Sequence, residues 1–117
     1  MVDPHTSHVL DTLVGEQLSS VTFVQDYLQL DFDGKRLTLN VWPVICDHRQ
    51  RLSIEDGGYR DLLCSIIGQE VTGALDTESN ISLTFGDNSI LWVDLTSQLD
   101  IERVVFEDTG TSRWAWW

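Results

Sequence analysis

The sequence predicts an α+β fold, mainly antiparallel β-sheet with two short helices, built by internal duplication of an α-β-β-β-β unit of about 53 residues. Three observations predict it. Apolar positions recur along the chain at a nearly constant offset. Two stretches alternate apolar and polar residues on either side of a turn signal. One stretch carries its apolar residues at helical spacing.

The offset is clearest when "VLDTLVG" (9–15) is laid over "LLCSIIG" (62–68), so that Val9, Leu10, Leu13 and Val14 meet Leu62, Leu63, Ile66 and Ile67. Gly15 then meets Gly68, Leu18 meets Val71 and Val21 meets Ala74. Next, "YLQLDFDG" (27–34) lies over "NISLTFGD" (80–87), matching Leu28, Leu30 and Phe32 to Ile81, Leu83 and Phe85. Leu37 and Leu39 meet Ile90 and Trp92. With the offset slipped by one, "RLSIEDGG" (51–58) lies over "RVVFEDTG" (103–110). The expected organisation is one domain over 1–117, with units at 6–57 and 58–110 and an aromatic tail at 111–117.

Each unit opens with a helix. Tyr59, Leu62, Leu63, Ile66 and Ile67 form one apolar stripe, and Gly68 stands where a left-handed residue ends a helix. In the first unit Ser7 is the expected N-cap and Gly15 the stop. A strand follows each glycine, at 16–24 and 69–75. A hairpin comes next, "YLQLDF" and "RLTLNVW" joined at Asp33-Gly34, a favoured turn pair. Its counterpart joins "ISLTF" to "SILWVDL" through Gly86-Asp87-Asn88. Pro43 ends the strand before it, and "RLSIE" or "RVVFE" completes each unit. After Gly110 a third unit would begin, but only "TSRWAWW" remains. The expectation is a last strand or extended clamp in which Trp114 and Trp116 cover the core, leaving Trp117 free to be exposed.

A chain of 117 residues with 42% apolar content builds an ordinary core without a metal or disulfide staple. Nineteen Asp and Glu face seven Lys and Arg, for a net charge of −12. Six of the seven bases are arginine, and Lys35 is the one lysine. Nucleic acid is a poor partner, because nothing offers a basic stripe to neutralise phosphates. The acidity fits two causes, salt adaptation that keeps the protein soluble and an acidic face that docks a basic protein. "MVDPHTSHVL" lacks a basic and apolar leader, and no apolar run reaches membrane length. With Cys46 and Cys64 as two isolated thiols, the expected location is cytoplasmic and no membrane partner is expected.

No catalytic residue is predicted. His5 and His8 beside Asp3 make at most a minimal metal pair without the further ligands a site needs, so no metal and no cofactor are expected. His48 in "CDHRQR" next to Cys46 lacks the placed base that a thiol nucleophile needs. No G-x-S-x-G, P-loop or G-x-G-x-x-G occurs. Asp31 and Asp33 share a strand face, Glu55-Asp56 and Glu107-Asp108 sit at strand ends, and Arg49 with Arg51 forms a basic patch able to pair with these acids.

The segment "EQLSSVTFVQDYLQLDFDGKRLTLNV" resembles a pattern in small uncharacterised bacterial domains, in which a G-x-x-V strand start precedes a D-G hairpin. Residues 15–41, and more loosely 68–95, carry it, with Gly15, Leu18, Val21, Leu30 and Gly34 as the matching positions. The resemblance implies no activity.

The functional expectation is a non-enzymatic protein-binding or accessory module, immunity-like or self-associating. Its partner is another protein or a second copy of the chain, engaged through the acidic surface and through Trp114, Trp116 and Trp117. The alternative expectation is a small-molecule binder or enzyme with a pocket between the two units, lined by Trp42, Trp92, Tyr59 and Asp31.

Overall fold

The computed structural model describes residues 9–96 and 101–117. The expected cap Ser7, together with His5 and His8, lies outside the described residues. Most of the described chain is antiparallel β-sheet, with one α-helix and one 3-10 turn. The first helical segment is the 3-10 turn, Leu10–Leu13, closed by Thr12 N–H to Val9 O at 3.1 Å and Val14 N–H to Asp11 O at 3.2 Å. The second is helix α1, Tyr59–Ser65, where Leu62 N–H reaches Gly58 O at 2.9 Å. Two helices were expected, and one forms. A segment of two turns fixes many dihedrals for few hydrogen bonds, so the shorter one settles for the tighter bonding pattern. Each is nevertheless followed by a left-handed glycine, Gly15 two residues beyond the 3-10 turn and Gly68 three beyond α1, both with φ of 92°.

Ten strands follow in two sheets. In chain order they are β1 (Ser20–Val24), β2 (Tyr27–Asp31), β3 (Lys35–Leu39), β4 (Val44–Cys46), β5 (Arg51–Leu52), β6 (Val71–Asp76), β7 (Asn80–Phe85), β8 (Ile90–Asp94), β9 (Val104–Asp108) and β10 (Arg113–Trp116). The first sheet runs β1-β2-β3-β9-β10 and the second β5-β4-β8-β7-β6. The hairpin β4–β5 therefore leaves the first half of the chain to pair with β8, and β9–β10 leaves the second half to pair with β3. Leu28, Leu30 and Phe106 from one sheet and Leu83, Leu91 and Val93 from the other share a single buried core with Leu13, Tyr59, Leu63 and Ile66.

The two halves meet at residues 15–18 and 68–71, which run antiparallel through a bridge between Gln17 and Glu70. Gly15 N–H donates to Val71 O at 2.8 Å and Gly68 N–H to Leu18 O at 2.7 Å. Leu18 N–H donates to Gln69 O at 3.0 Å and Val71 N–H to Glu16 O at 2.9 Å.

Several sequence-based assignments shift. Val44–Cys46 forms a strand that the sequence did not predict, starting directly after Pro43, while the strand expected to run up to Pro43 already stops at Leu39. "RLSIE" contributes only Arg51–Leu52 before Asp56 N–H turns back to Ser53 O at 2.9 Å, whereas "RVVFE" forms most of β9. Laying 51–58 over 103–110 thus compares unlike strands. The second hairpin turn is one residue longer than the first, closing Phe85 N–H on Ser89 O where Phe32 N–H closes on Lys35 O. That extra residue flips the following strand by one position, because side chains alternate. Leu91 and Val93 are therefore buried, as Leu37 and Leu39 are, while Ile90 and Trp92, which the offset matched to those leucines, face outward.

The tail forms β10, as a last strand was expected to, but with the opposite parity. Ala115 and Trp117 are buried, while Trp114 and Trp116 are 61% and 50% exposed. Trp117 indole Nε1–H reaches Asp76 Oδ2 at 3.3 Å, and its backbone exchanges bonds with Val104, so this indole ties the end of β10 to the end of β6. Arg113 opposite Asp108 sets the register, and the pleat then dictates which tryptophans turn inward.

Candidate functional site

The outer face of the first sheet carries two cross-strand rows, each derived from strand register. One runs Trp116, Val105, Thr38, Gln29, Thr22. The other runs Trp114, Glu107, Arg36, Asp31, Ser20. In the first row Gln29 Nε2 donates to Thr38 Oγ1 at 3.3 Å. In the second, Arg36 Nε donates to Asp31 Oδ1 at 2.7 Å and Ser20 Oγ to Asp31 Oδ2 at 3.0 Å. The hydrogen bond to Asp31 holds the Arg36 guanidinium above its ordinary pKa. Among the described residues the other ion pair is Lys35 to Glu16 at 3.5 Å.

Two shallow depressions open on this face. One of about 290 Å³ is lined by Asp31, Gly34, Lys35, Arg36, Glu107 and Thr109. Its neighbour of about 240 Å³ is lined by Glu107, Asp108, Thr109, Ser112 and Trp114. They share Glu107 and Thr109, so a continuous shallow surface leads from the Arg36–Asp31 pair to the Trp114 indole. Asp108 shapes its rim. Its Oδ1 accepts Gly110 N–H at 3.0 Å and Thr111 N–H at 3.3 Å, closing the turn between β9 and β10. Desolvation raises the Asp108 pKa, but the Thr111 hydroxyl, these two amides and the Lys35 charge together outweigh it and the net shift is downward.

The backbone of β10 adds a second feature. Trp117 N–H donates to Val104 O at 2.9 Å and Val104 N–H to Trp117 O at 3.4 Å, so this pair is hydrogen-bonded across the ladder. Hydrogen-bonded pairs alternate along an antiparallel ladder. Residues 113, 115 and 117 therefore bond toward β9. The N–H and C=O groups of Trp114 and Trp116 point to the open edge.

The four ligand-binding candidates do not converge. Tyr59 is buried and its hydroxyl donates to Pro43 O at 2.5 Å, with burial pushing the phenol pKa upward. Trp42 is partly buried against the core. Trp92 lies on the outer face of the second sheet, with the Arg51 guanidinium 5.9 Å from its ring. Asp31 lies on the outer face of the first sheet, bonded to Arg36. Arg51 thus meets an indole in place of the acids it was expected to pair with. Cys46 and His48 flank Asp47, whose Oδ1 accepts the amides of Arg49 and Gln50 at 2.8 and 2.9 Å. Among the described residues no three His, Cys, Asp or Glu side chains gather as metal ligands.

Sequence reasoning overlooked Arg36 and Val105. A two-residue turn at Asp33-Gly34 fixes 31 opposite 36, so the Arg36–Asp31 pair was available from the hairpin. Val105 carried no such signal, since its neighbours depend on β9 crossing to β3. Compared with known protein families, curated proteins and solved structures, the chain matches none.

Proposed function

We propose that this protein is a non-enzymatic binding module, an accessory or immunity-like partner of another protein, working through the outer face of the first sheet at β9–β10. One observation carries the reading. Trp114 and Trp116 stand side by side on one strand face, more than half and half exposed, while the core is closed by Ala115 and Trp117. Indoles held in water by a rigid sheet are costly to leave bare and are strongly favoured as binding anchors. The net charge of −12 disfavours nucleic acid as the partner. A cytoplasmic location belongs to the same reading. The separate positions of Trp42, Trp92, Tyr59 and Asp31 lend no support to a ligand pocket between the halves.

We also infer that the chain is a duplicated α-β-β-β-β unit whose last hairpins are exchanged. Renumbering strands 1–5 as 6–10, and 6–10 as 1–5, turns the order of one sheet into that of the other. The four hydrogen bonds joining 15–18 to 68–71 likewise interchange under the offset of 53, as do Thr12 Oγ1 to Val9 O and Ser65 Oγ to Leu62 O, both 2.6 Å. On this reading β10 is the counterpart of β5 and belongs to the second unit.

The test is capture from a lysate of the cells that express the protein, with the full chain and its Trp114→Thr/Trp116→Thr variant as baits. A protein held by the first and lost by the folded variant is the expected result. Equal capture by both would move the binding surface elsewhere.

A further inference from the structure

We propose that one occupant of this surface is a second copy of the chain, added antiparallel along β10 about a two-fold axis through Ala115. The inference rests on the binding-module reading and names its partner.

Strand edges are normally protected by charge, proline, bulges or a covering element. In the first sheet the β1 edge lies beside α1, and in the second the β6 edge lies beside the 3-10 turn. Strand β5 offers only two residues. Strand β10 offers four, and from Trp114 onward "WAWW" has no charge and no proline.

The open-edge groups are self-complementary. A two-fold at Ala115 sets Trp114 of one copy opposite Trp116 of the other, twice. The outward N–H and C=O of both residues then meet their partners, giving four backbone hydrogen bonds. All four indoles fall on the same face as two directly opposed pairs. Centring the axis on Trp114 or Trp116 instead leaves one indole of each copy without a facing indole. The strand itself carries Arg113 and no acidic side chain, and the nearest acids, Glu107 and Asp108, sit one strand back on β9.

Area limits the affinity. The exposed parts of Trp114 and Trp116 come to roughly 250 Å² per copy. Twice that falls well short of the roughly 1,200 Å² of a stable interface. The dimer is therefore transient and forms only at high concentration. Salt must tighten it, because two strongly acidic chains repel and ions screen that repulsion.

Sedimentation velocity on the purified full chain, from about 1 µM to about 1 mM, measures this. The expected result is a monomer–dimer equilibrium that shifts toward dimer between about 0.05 and 0.5 M NaCl. It weakens about tenfold or more in Trp114→Thr/Trp116→Thr, which loses both indole pairs. Amide exchange at the two ends of the concentration range fixes the register. The Trp114 and Trp116 N–H groups become protected on concentration, while the Ala115 N–H, already bonded to β9, is slow throughout. A monomer across the whole range overturns the proposal. So does a dimer that is indifferent to the two substitutions or leaves the Trp114 and Trp116 amides unprotected. Lysate capture by a strictly monomeric chain would overturn the second-copy proposal alone and leave the binding module standing.

Discussion

Single carboxylates do much of the local work in this acidic chain. Asp47 and Asp94 both have pKa values below the ordinary range, Asp47 through the amides of Arg49 and Gln50, Asp94 through the hydroxyl and amide of Thr96. A carboxyl depressed in the folded state stabilises the fold above its unfolded pKa and loses that contribution as pH falls through the folded value. The melting temperature of Asp47→Ala should therefore lie below that of the parent at pH 6. The gap should close as pH drops below about 4. Melts of the two proteins across that range check it, and a gap that widens in acid would contradict the assignment. The Asp47 turn left a local signal, an aspartate followed by His48, Arg49 and Gln50, whereas Asp94 is followed by the buried Leu95 and left none. The exposure of Trp114 was not legible. Parity along the last strand depends on which β9 residue it faces, and β9 reaches its place through a crossover that no local pattern encodes.

Among the elements, the segment ends were the best read. Gly15 and Gly68 were assigned as helix stops, and both adopt a φ of 92° with open space where a β-carbon would sit. Replacing either with alanine then meets backbone strain without a steric clash, at a cost of about 1–2 kcal/mol. The two costs should be alike if the two glycines hold equivalent places, and urea titrations of Gly15→Ala and Gly68→Ala compare them directly. Hairpins β2–β3 and β7–β8 were equally plain, because alternation and turn residues are local signals. Three things escaped: the short strand β4, the conversion of one helix to a 3-10 turn, and the pairing of β9 with β3 that places β10 at a sheet edge. Each is decided by pairing between distant segments, where tertiary contacts override propensity.

For the whole molecule, charge and the two-sheet framework set the limits. A net charge of −12 on 117 residues destabilises the compact state by self-repulsion, so the melting temperature should rise between about 0.05 and 0.5 M NaCl. Thermal melts at the two concentrations measure that rise. The central claim is a division of labour in the tail: Trp117 holds the sheets together, while Trp114 and Trp116 stand in solvent, outside the core, where the proposed partner would dock. The free energy of unfolding of the single variants tests it most directly. Trp117→Ala, which empties a buried site and removes the bond to Asp76, should lose about 3–5 kcal/mol. Trp114→Thr and Trp116→Thr should each lose about 1 kcal/mol, the scale of a cross-strand contact. A loss at Trp114 or Trp116 as large as that at Trp117 would make all three indoles structural and contradict the account.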